Sequence, residues 1–419
     1  MAWTRAKMAV AGGVALLLAT TGTMTVSHYL NPPPPKQTGR FHLPTGNVKP
    51  MIGAGNGFRV ILASDGSLWS CGEEPQGFPS LGLSDIGIHN TVPLRRIGNE
   101  TNWVAVSSAS ALTIALKADG TLWGWGENHH GQLGANPRVQ PHLSPINADS
   151  DWAQIAAGGA WVMALKKNGT LWAWGNNWAG QLGLGTTKET PEPAPVGNST
   201  NWTKVWAHAS GVQTVGQQAD GSLWYWGSLT RDSKDNASKV SVPTRVSSDT
   251  NWIDVCFGDR SVFAIQSDGS LWCWGADAPF YAEKQDSTSL LTPRRIGPDK
   301  DWQACASDGG FYSLLKKREG SIWMMNAGDP GHQLNKSDRL NIQKIQLPAD
   351  ATTFVSWSNG GIVLTRDGEV WSWGRVYGEH PPKDYDARKS SPPNFRVLEK
   401  PWRRAVIDPS REGNPDVRE

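Results

Sequence analysis

The sequence predicts an all-β fold, a seven-bladed β-propeller of four-stranded antiparallel blades, preceded by an N-terminal hydrophobic helix. Three observations predict it. A hairpin signature, D-G-x-L-W-x-W-G, recurs with substitutions in seven units at a spacing of about 50 residues. Composition adds 46 Gly, 28 Pro and 23 Trp with only 19% charged residues, which suits short strands and tight turns rather than helical bundles or disorder. Finally, no capping repeat is visible, as a linear solenoid would require, so the repeats are expected to close on themselves.

Taken from the N-terminus, residues 1–30 read as a targeting segment. Arg5 and Lys7 precede an uncharged run from Met8 to Val26, long enough at 1.5 Å per residue to cross a hydrocarbon core of about 30 Å. An uncleaved signal-anchor is favoured over a cleaved signal peptide, because no A-x-A site follows. Both readings place the propeller outside the cytoplasm, at the cell membrane or secreted, with residues 31–46 as a stiff Pro-rich spacer. Membrane contact is expected through this segment only.

The propeller is expected over 47–407. Its turn pairs fall at Asp65-Gly66, Asp119-Gly120, Asn168-Gly169, Asp220-Gly221, Asp268-Gly269, Glu319-Gly320 and Asp367-Gly368. A Trp stands four residues after the first residue of each pair, from Trp69 to Trp371. Two residues further on, five units carry a second Trp, while Cys71 and Met325 take that place in the first and sixth. A third Trp opens most units: Trp103, Trp152, Trp202, Trp252 and Trp302, with Trp402 after the last. Apolar runs such as Leu112–Leu116 read as strands covered on both faces. The Asp-Gly pairs are expected to supply the two positive-φ residues of type I′ hairpins. Since Lys49 occupies the opening Trp position of the first unit, residues 395–407 are expected to pair with that unit and latch the ring. Residues 408–419 form a charged tail.

In the third unit the W-G is followed by a second signature, giving L-W-x-W-G-x-N-x-x-G-Q-L-G from Leu171 to Gly183. Gly131-Gln132-Leu133-Gly134 repeats it in the second, and the sixth retains Gly331-His332-Gln333-Leu334. This combined motif resembles the repeat of the regulator of chromosome condensation family, here as a bacterial exported or membrane-anchored member. The fourth, fifth and seventh units depart from it with unrelated loops. The resemblance implies a seven-bladed propeller that binds proteins. The family's founding member is a nuclear guanine-nucleotide exchange factor that docks on chromatin, and a secreted bacterial relative inhibits β-lactamases. Neither activity maps onto residues of this sequence, because the shared positions are framework.

Eighteen of the 23 Trp lie on framework positions. Apart from Trp3, the remainder are Trp161, Trp178, Trp206 and Trp357, the candidate partner-binding residues. Trp178 stands in the loop between W-G and G-Q-L-G, and Trp161 and Trp206 flank inner-strand ends, so the three could share one rim. Extra packing between blades is the competing reading of all four. A second pattern is basic: Arg95, Arg96, Arg245, Arg294, Arg295 and Arg396 accompany the Pro that opens each outer strand, a placement that solvates sheet edges or meets an anionic partner.

No catalytic, cofactor or metal site is predicted. His129, His130 and His142 lack ligand spacing and a carboxylate partner, and the turn acids are explained by hairpin geometry. A net charge of +2 gives no reason to expect nucleic acid. The four cysteines, Cys71, Cys256, Cys273 and Cys305, read as buried small hydrophobes; if a bridge forms, Cys256 with Cys305 is the most plausible pair, because they fall in corresponding strands of consecutive units. The functional expectation is therefore a non-catalytic protein-interaction module displayed outside the cytoplasm. A glycan-binding or glycan-processing propeller and a guanine-nucleotide exchange factor stand as alternatives.

Overall fold

In the computed structural model the described residues are 42–73, 79–83, 91–134, 139–228, 239–275, 291–307, 312–326, 341–345, 347, 350–357, 360–374 and 395–397. They form seven four-stranded antiparallel sheets, each pairing its strands in chain order. Blade one is β1 (Met51–Ala54), β2 (Phe58–Leu62), β3 (Leu68–Glu73) and β4 (Thr91–Ile97), and β5 (Trp103–Ala109) opens the next. The opening strands of most successive blades lie against one another, and β1 meets both β5 and β25 (Ala351–Trp357), which makes these strands the inner wall of the ring. The N-terminal hydrophobic helix expected before the blades lies outside the described residues. Among the described residues no helix is long and apolar enough to cross a membrane.

The apolar side chains gather into seven clusters, one at each seam between neighbouring blades. Because a blade is a sheet packed on both faces, its middle strands are covered on both sides: β6 (Leu112–Lys117) is buried at every position. The seam between blades seven and one is as real as the others, joining Leu43, Ala54 and Ile61 to Val355, Ile362, Leu364 and Val370.

Of the latch expected of residues 395–407, residues 395–397 are described, and they do not pair with the first blade. Strand β28 (Phe395–Val397) pairs with β27 (Val370–Gly374) of its own blade and is simply its outer strand. Residues 398–407 lie outside the described residues. The observed closure comes from the other end of the chain, where the Leu43 N–H donates to Gly368 O at 2.8 Å and His42 bridges Glu369. That bond reproduces the one that the Trp302 N–H makes to Gly269 O of the preceding hairpin at 3.1 Å. Leu43, 2% exposed, thus docks the first blade on the last where other blades use a Trp. The folded ring therefore begins before residue 47.

The hairpins also differ from expectation. Gly66, Gly120, Gly169, Gly221, Gly269, Gly320 and Gly368 have φ between 78° and 94°, but none of the acids or amides before them is in the left-handed region. In the first blade the Gly66 N–H donates to Ala63 O at 3.0 Å and the Ala63 N–H to Ser67 O at 2.9 Å. This is a type I turn followed by one left-handed residue, the longer hairpin with a bulge, rather than type I′. Asp-Gly serves both turns, so the dipeptide alone could not separate them.

Candidate partner-binding rim

The residues that recur in every blade are occupied with holding the blade. In the first hairpin the Trp69 indole N–H donates to Ser67 Oγ at 2.8 Å, and that hydroxyl donates to Asp65 Oδ1 at 2.5 Å. The same relay runs through Trp123, Thr121 and Asp119, through Trp172, Thr170 and Asn168, and through Trp272, Ser270 and Asp268. In the seventh blade Glu369 replaces the hydroxyl and takes the Trp371 N–H directly at 2.8 Å. Hydrogen bonds from the Ser or Thr two residues on hold the Asp119, Asp220 and Asp268 carboxyls below the usual range. These acids are acceptors in a turn, not proton donors for chemistry.

Three residues of the basic pattern, Arg96, Arg245 and Arg295, are framework as well. The guanidinium of Arg96 donates to Asn99 O, that of Arg245 to Ser247 O, and that of Arg295 to Pro298 O at 2.7 Å, each capping the link to the next blade. The Arg396 side chain lies outside the described residues. Lys166 is locked between Trp152 and Trp172, 4.8 Å from each ring centroid, with Asp149 at 2.9 Å and Asp151 at 3.0 Å.

The G-Q-L-G loop is built the same way. In blade three, the Leu182 N–H donates to Asn177 Oδ1 at 3.0 Å and the Ala179 N–H to Gln181 Oε1 at 2.9 Å. In blade two, Asn128 and Gln132 repeat this with Leu133 and His130. Each loop then grips the following blade: the Trp174 indole donates to Gln132 O and the Trp125 indole to Ser80 O, both at 2.9 Å. The second of these contacts shows that Ser80-Leu81-Gly82 in the first blade is a further copy of the signature. Sequence reading missed it because Ser replaces Gln; the retained Leu-Gly was the available signal.

What the framework leaves open is the tip of each loop. Trp178, 39% exposed, stands there in blade three, and His129 holds the corresponding place in blade two. The loop carrying Trp178 lies along β16 (Lys239–Arg245), the outer strand of blade four: the Gly185 N–H donates to Ser241 O at 2.8 Å. Lys239 Nζ sits 5.7 Å from the Trp178 ring, and Val242 is 51% exposed on the same strand. Trp178, Lys239 and Val242 therefore line one seam as an apolar surface with a positive charge at its edge. Next to it, two histidines for which the sequence offered no carboxylate partner have one: His130 Nδ1 lies 2.9 Å from Glu189 Oε2 and His129 Nδ1 3.2 Å from Glu127 Oε1.

Trp161 and Trp206 do not join this surface. Trp161 is 1% exposed, buried in the core between blades three and four. Trp206 is half-buried and packs against the core between blades four and five. The Trp357 side chain lies outside the described residues. The strands put Trp161 and Trp206 beside inner turns, as the sequence suggested, but a neighbouring blade covers Trp161 completely. His142 lies exposed on the outer strand β8 (Val139–Pro145). Among the described residues no group of three His, Cys, Asp or Glu side chains could hold a metal ion.

At the inner wall, side chains bridge the edges of neighbouring strands. Gln154 on β9 (Trp152–Ala157) donates to Val205 O at 3.0 Å and accepts from the Val205 N–H at 3.2 Å. On β17 (Trp252–Phe257) the corresponding residue is Asp254, which accepts the Cys305 N–H at 2.9 Å and its neighbour Val255 N–H at 3.0 Å. Burial pushes the Asp254 carboxyl up to about 6, against the pull of those two N–H groups and of Lys204 and Lys49.

Comparison with known proteins agrees with this architecture. Residues 119–165 and 168–213 match the Regulator of chromosome condensation (RCC1) repeat, as do 104–132. The Arabidopsis thaliana RCC1 domain-containing protein RUG3, mitochondrial, is 28% identical over 292 residues, 64% of this chain and 63% of its own length. The chain thus matches less than two thirds of that relative. Human WBSCR16 superposes with a TM-score of 0.63 at 16% identity, covering 80% of this chain and 94% of that one. Prp20p from Saccharomyces cerevisiae, described with its binding to Gsp1p and histones, gives 0.58 at 17%, covering 73% and 80%. At such identities the likeness is one of fold: this chain carries RCC1 repeats on a seven-bladed propeller.

Proposed function

We propose that this chain is a non-catalytic interaction module, displayed outside the cytoplasm, that holds a protein partner on the rim around Trp178. The observation that carries the reading is the contrast inside one loop. Asn177 and Gln181 are spent on the backbone, while Trp178 between them is held out to solvent beside Lys239 and Val242. A rigid, half-exposed Trp with an apolar neighbour and a nearby cation is the composition of an interface anchor. Prp20p, a propeller of the same fold, is described as binding Gsp1p and histones, which are proteins. Export rests on Arg5, Lys7 and the apolar run after them.

The test is capture of partners by the full chain beside Trp178→Ala and Val242→Ser. Both variants should melt within about 1 °C of the parent, since neither position is buried, yet lose at least about tenfold in affinity for the captured protein. Variants that retain full affinity would exclude this rim. Capture of glycan in place of protein would favour the carbohydrate reading. Protease protection in intact cells tests the location: a propeller shielded on the cytoplasmic side would exclude display and reopen nucleotide exchange.

A further inference from the structure

Three of the four cysteines, Cys256, Cys273 and Cys305, fall in one cluster, the core between blades five and six. Cys256 belongs to β17 and Cys305 to β21 (Trp302–Ala306), the two inner strands that meet at that seam. Both side chains enter the same core where β17 packs on β21, and the Asp254 carboxyl, reaching from β17 to the Cys305 N–H at 2.9 Å, holds the strands together beside them. Both residues are buried, 4% and 7% exposed. Sibling blades place ordinary core residues at these positions. Where β21 has Cys305, β17 has Val255 and β13 (Trp202–Ala207) has Val205; where β17 has Cys256, β9 has Ala156 and β21 has Ala306. The framework therefore does not require sulfur at either place.

We propose that Cys256 and Cys305 close an interblade disulfide, a covalent staple across the seam between blades five and six. The oxidant is a small-molecule or protein disulfide, with glutathione disulfide as the simplest example. One cysteine thiolate attacks it, forming a mixed disulfide and releasing one glutathione thiolate. The second cysteine thiolate then attacks the protein-side sulfur, forms the bond between blades and releases the second glutathione thiolate. The protons lost by the two cysteines end on the two glutathione thiolates, so one disulfide is reduced as one is made. Burial raises the Cys305 thiol well above its ordinary range, which starves the closed ring of thiolate. The exchange therefore belongs to the stage when blade six is docking on blade five. In the cell it rests on the export reading, because only an oxidising compartment sustains the bond.

The test does not depend on export. The full chain is folded with glutathione disulfide, its remaining thiols are alkylated, and it is digested without reduction. The peptide containing Cys256 should emerge joined to that containing Cys305, with Cys71 and Cys273 alkylated. The oxidised chain should melt at least about 5 °C above the reduced chain. A Cys256→Ala, Cys305→Val double variant, built from residues that sibling blades already carry, should fold and melt alike with and without reductant. Alkylation of both Cys256 and Cys305, or a bridge to Cys273 instead, overturns the proposal. Loss of the bridge only in protein recovered from cells, with bridging intact in glutathione, would count against export and leave the staple standing.

Discussion

The seam between blades three and four and the seam between blades five and six share one plan and differ in chemistry. In the first, β9 reaches β13 through the Gln154 amide, which both donates to and accepts from Val205. In the second, β17 reaches β21 through Asp254, whose two oxygens accept from the Cys305 and Val255 N–H groups. The first seam also carries a full G-Q-L-G loop and two Trp against Trp202, whereas Trp302 in the second meets Trp323 alone, Met325 standing where a second Trp would be. A repeat thus fixes the distance between blades but leaves open whether the link is neutral or ionisable. The neutral seam should be indifferent to solution conditions, while the other should respond to pH and to oxidants.

The largest expected effect probes what the seams have in common. Trp202→Ala and Trp302→Ala should each cost about 3–5 kcal/mol in urea unfolding, as loss of a buried Trp does. Trp202→Ala should be the worse by about 1 kcal/mol, since it loses two edge contacts near 6 Å rather than one. Equal losses would mean that the second Trp adds nothing to the three–four seam.

The next effect separates them. A carboxyl whose folded pKa is raised to about 6 from 3.8 favours the fold while protonated. That contribution is whole below pH 4 and is lost as pH rises through about 6. Asp254→Asn should therefore match the parent near pH 4 and exceed it above pH 6, by on the order of 1–3 kcal/mol. Conversely, Gln154→Glu should import the weakness into the neutral seam and lose stability over the same interval. Thermal melts of the parent and both variants from pH 4 to 8 decide this; a pH-independent difference for Asp254→Asn would show that burial does not govern the carboxyl.

The smallest effect lies outside the inner wall. Lys166 is clamped by two rings and two carboxylates, whereas Gln266 holds the corresponding place in blade five, donating to Asp249 at 3.3 Å and accepting from the Ser270 hydroxyl at 3.4 Å. Lys166→Gln should cost about 1 kcal/mol, less in high salt because Asp149 and Asp151 are half-exposed. A loss that salt leaves untouched would assign the clamp to ring contact alone.

How far the sequence revealed all this depended on the reach of each interaction. The relay of Trp69, Ser67 and Asp65 lies within five residues, so its parts recur together and the blade count could be read directly. The loop signature was legible where Gln132 and Gln181 kept it and hidden where Ser80 replaced it. Closure by Leu43 was not legible, because its partner Gly368 lies 325 residues away and no local pattern marks the donor. Exposure failed for a related reason. Trp161 and Trp178 look equally irregular in sequence, yet only the neighbouring blade decides that one is covered and the other is not. The polarity of Asp254 was visible, but its raised pKa arises from burial against β21, a strand in the next repeat.

The bond from Leu43 to Gly368 also sets an order of events in time. The chain emerges from its N-terminus, so the flank of β1 and the Leu43 side chain exist long before the hairpin that will cover them. Six blades can stack on their predecessors as they appear, but the seventh seam must wait for the end of the chain. Until then two raw apolar faces stand open, one at each end of the growing stack. A closure this distant in sequence makes assembly slow and exposes those faces to sticking. Chaperone demand should therefore peak late in synthesis, and truncation before Gly368 should produce aggregates rather than a smaller ring.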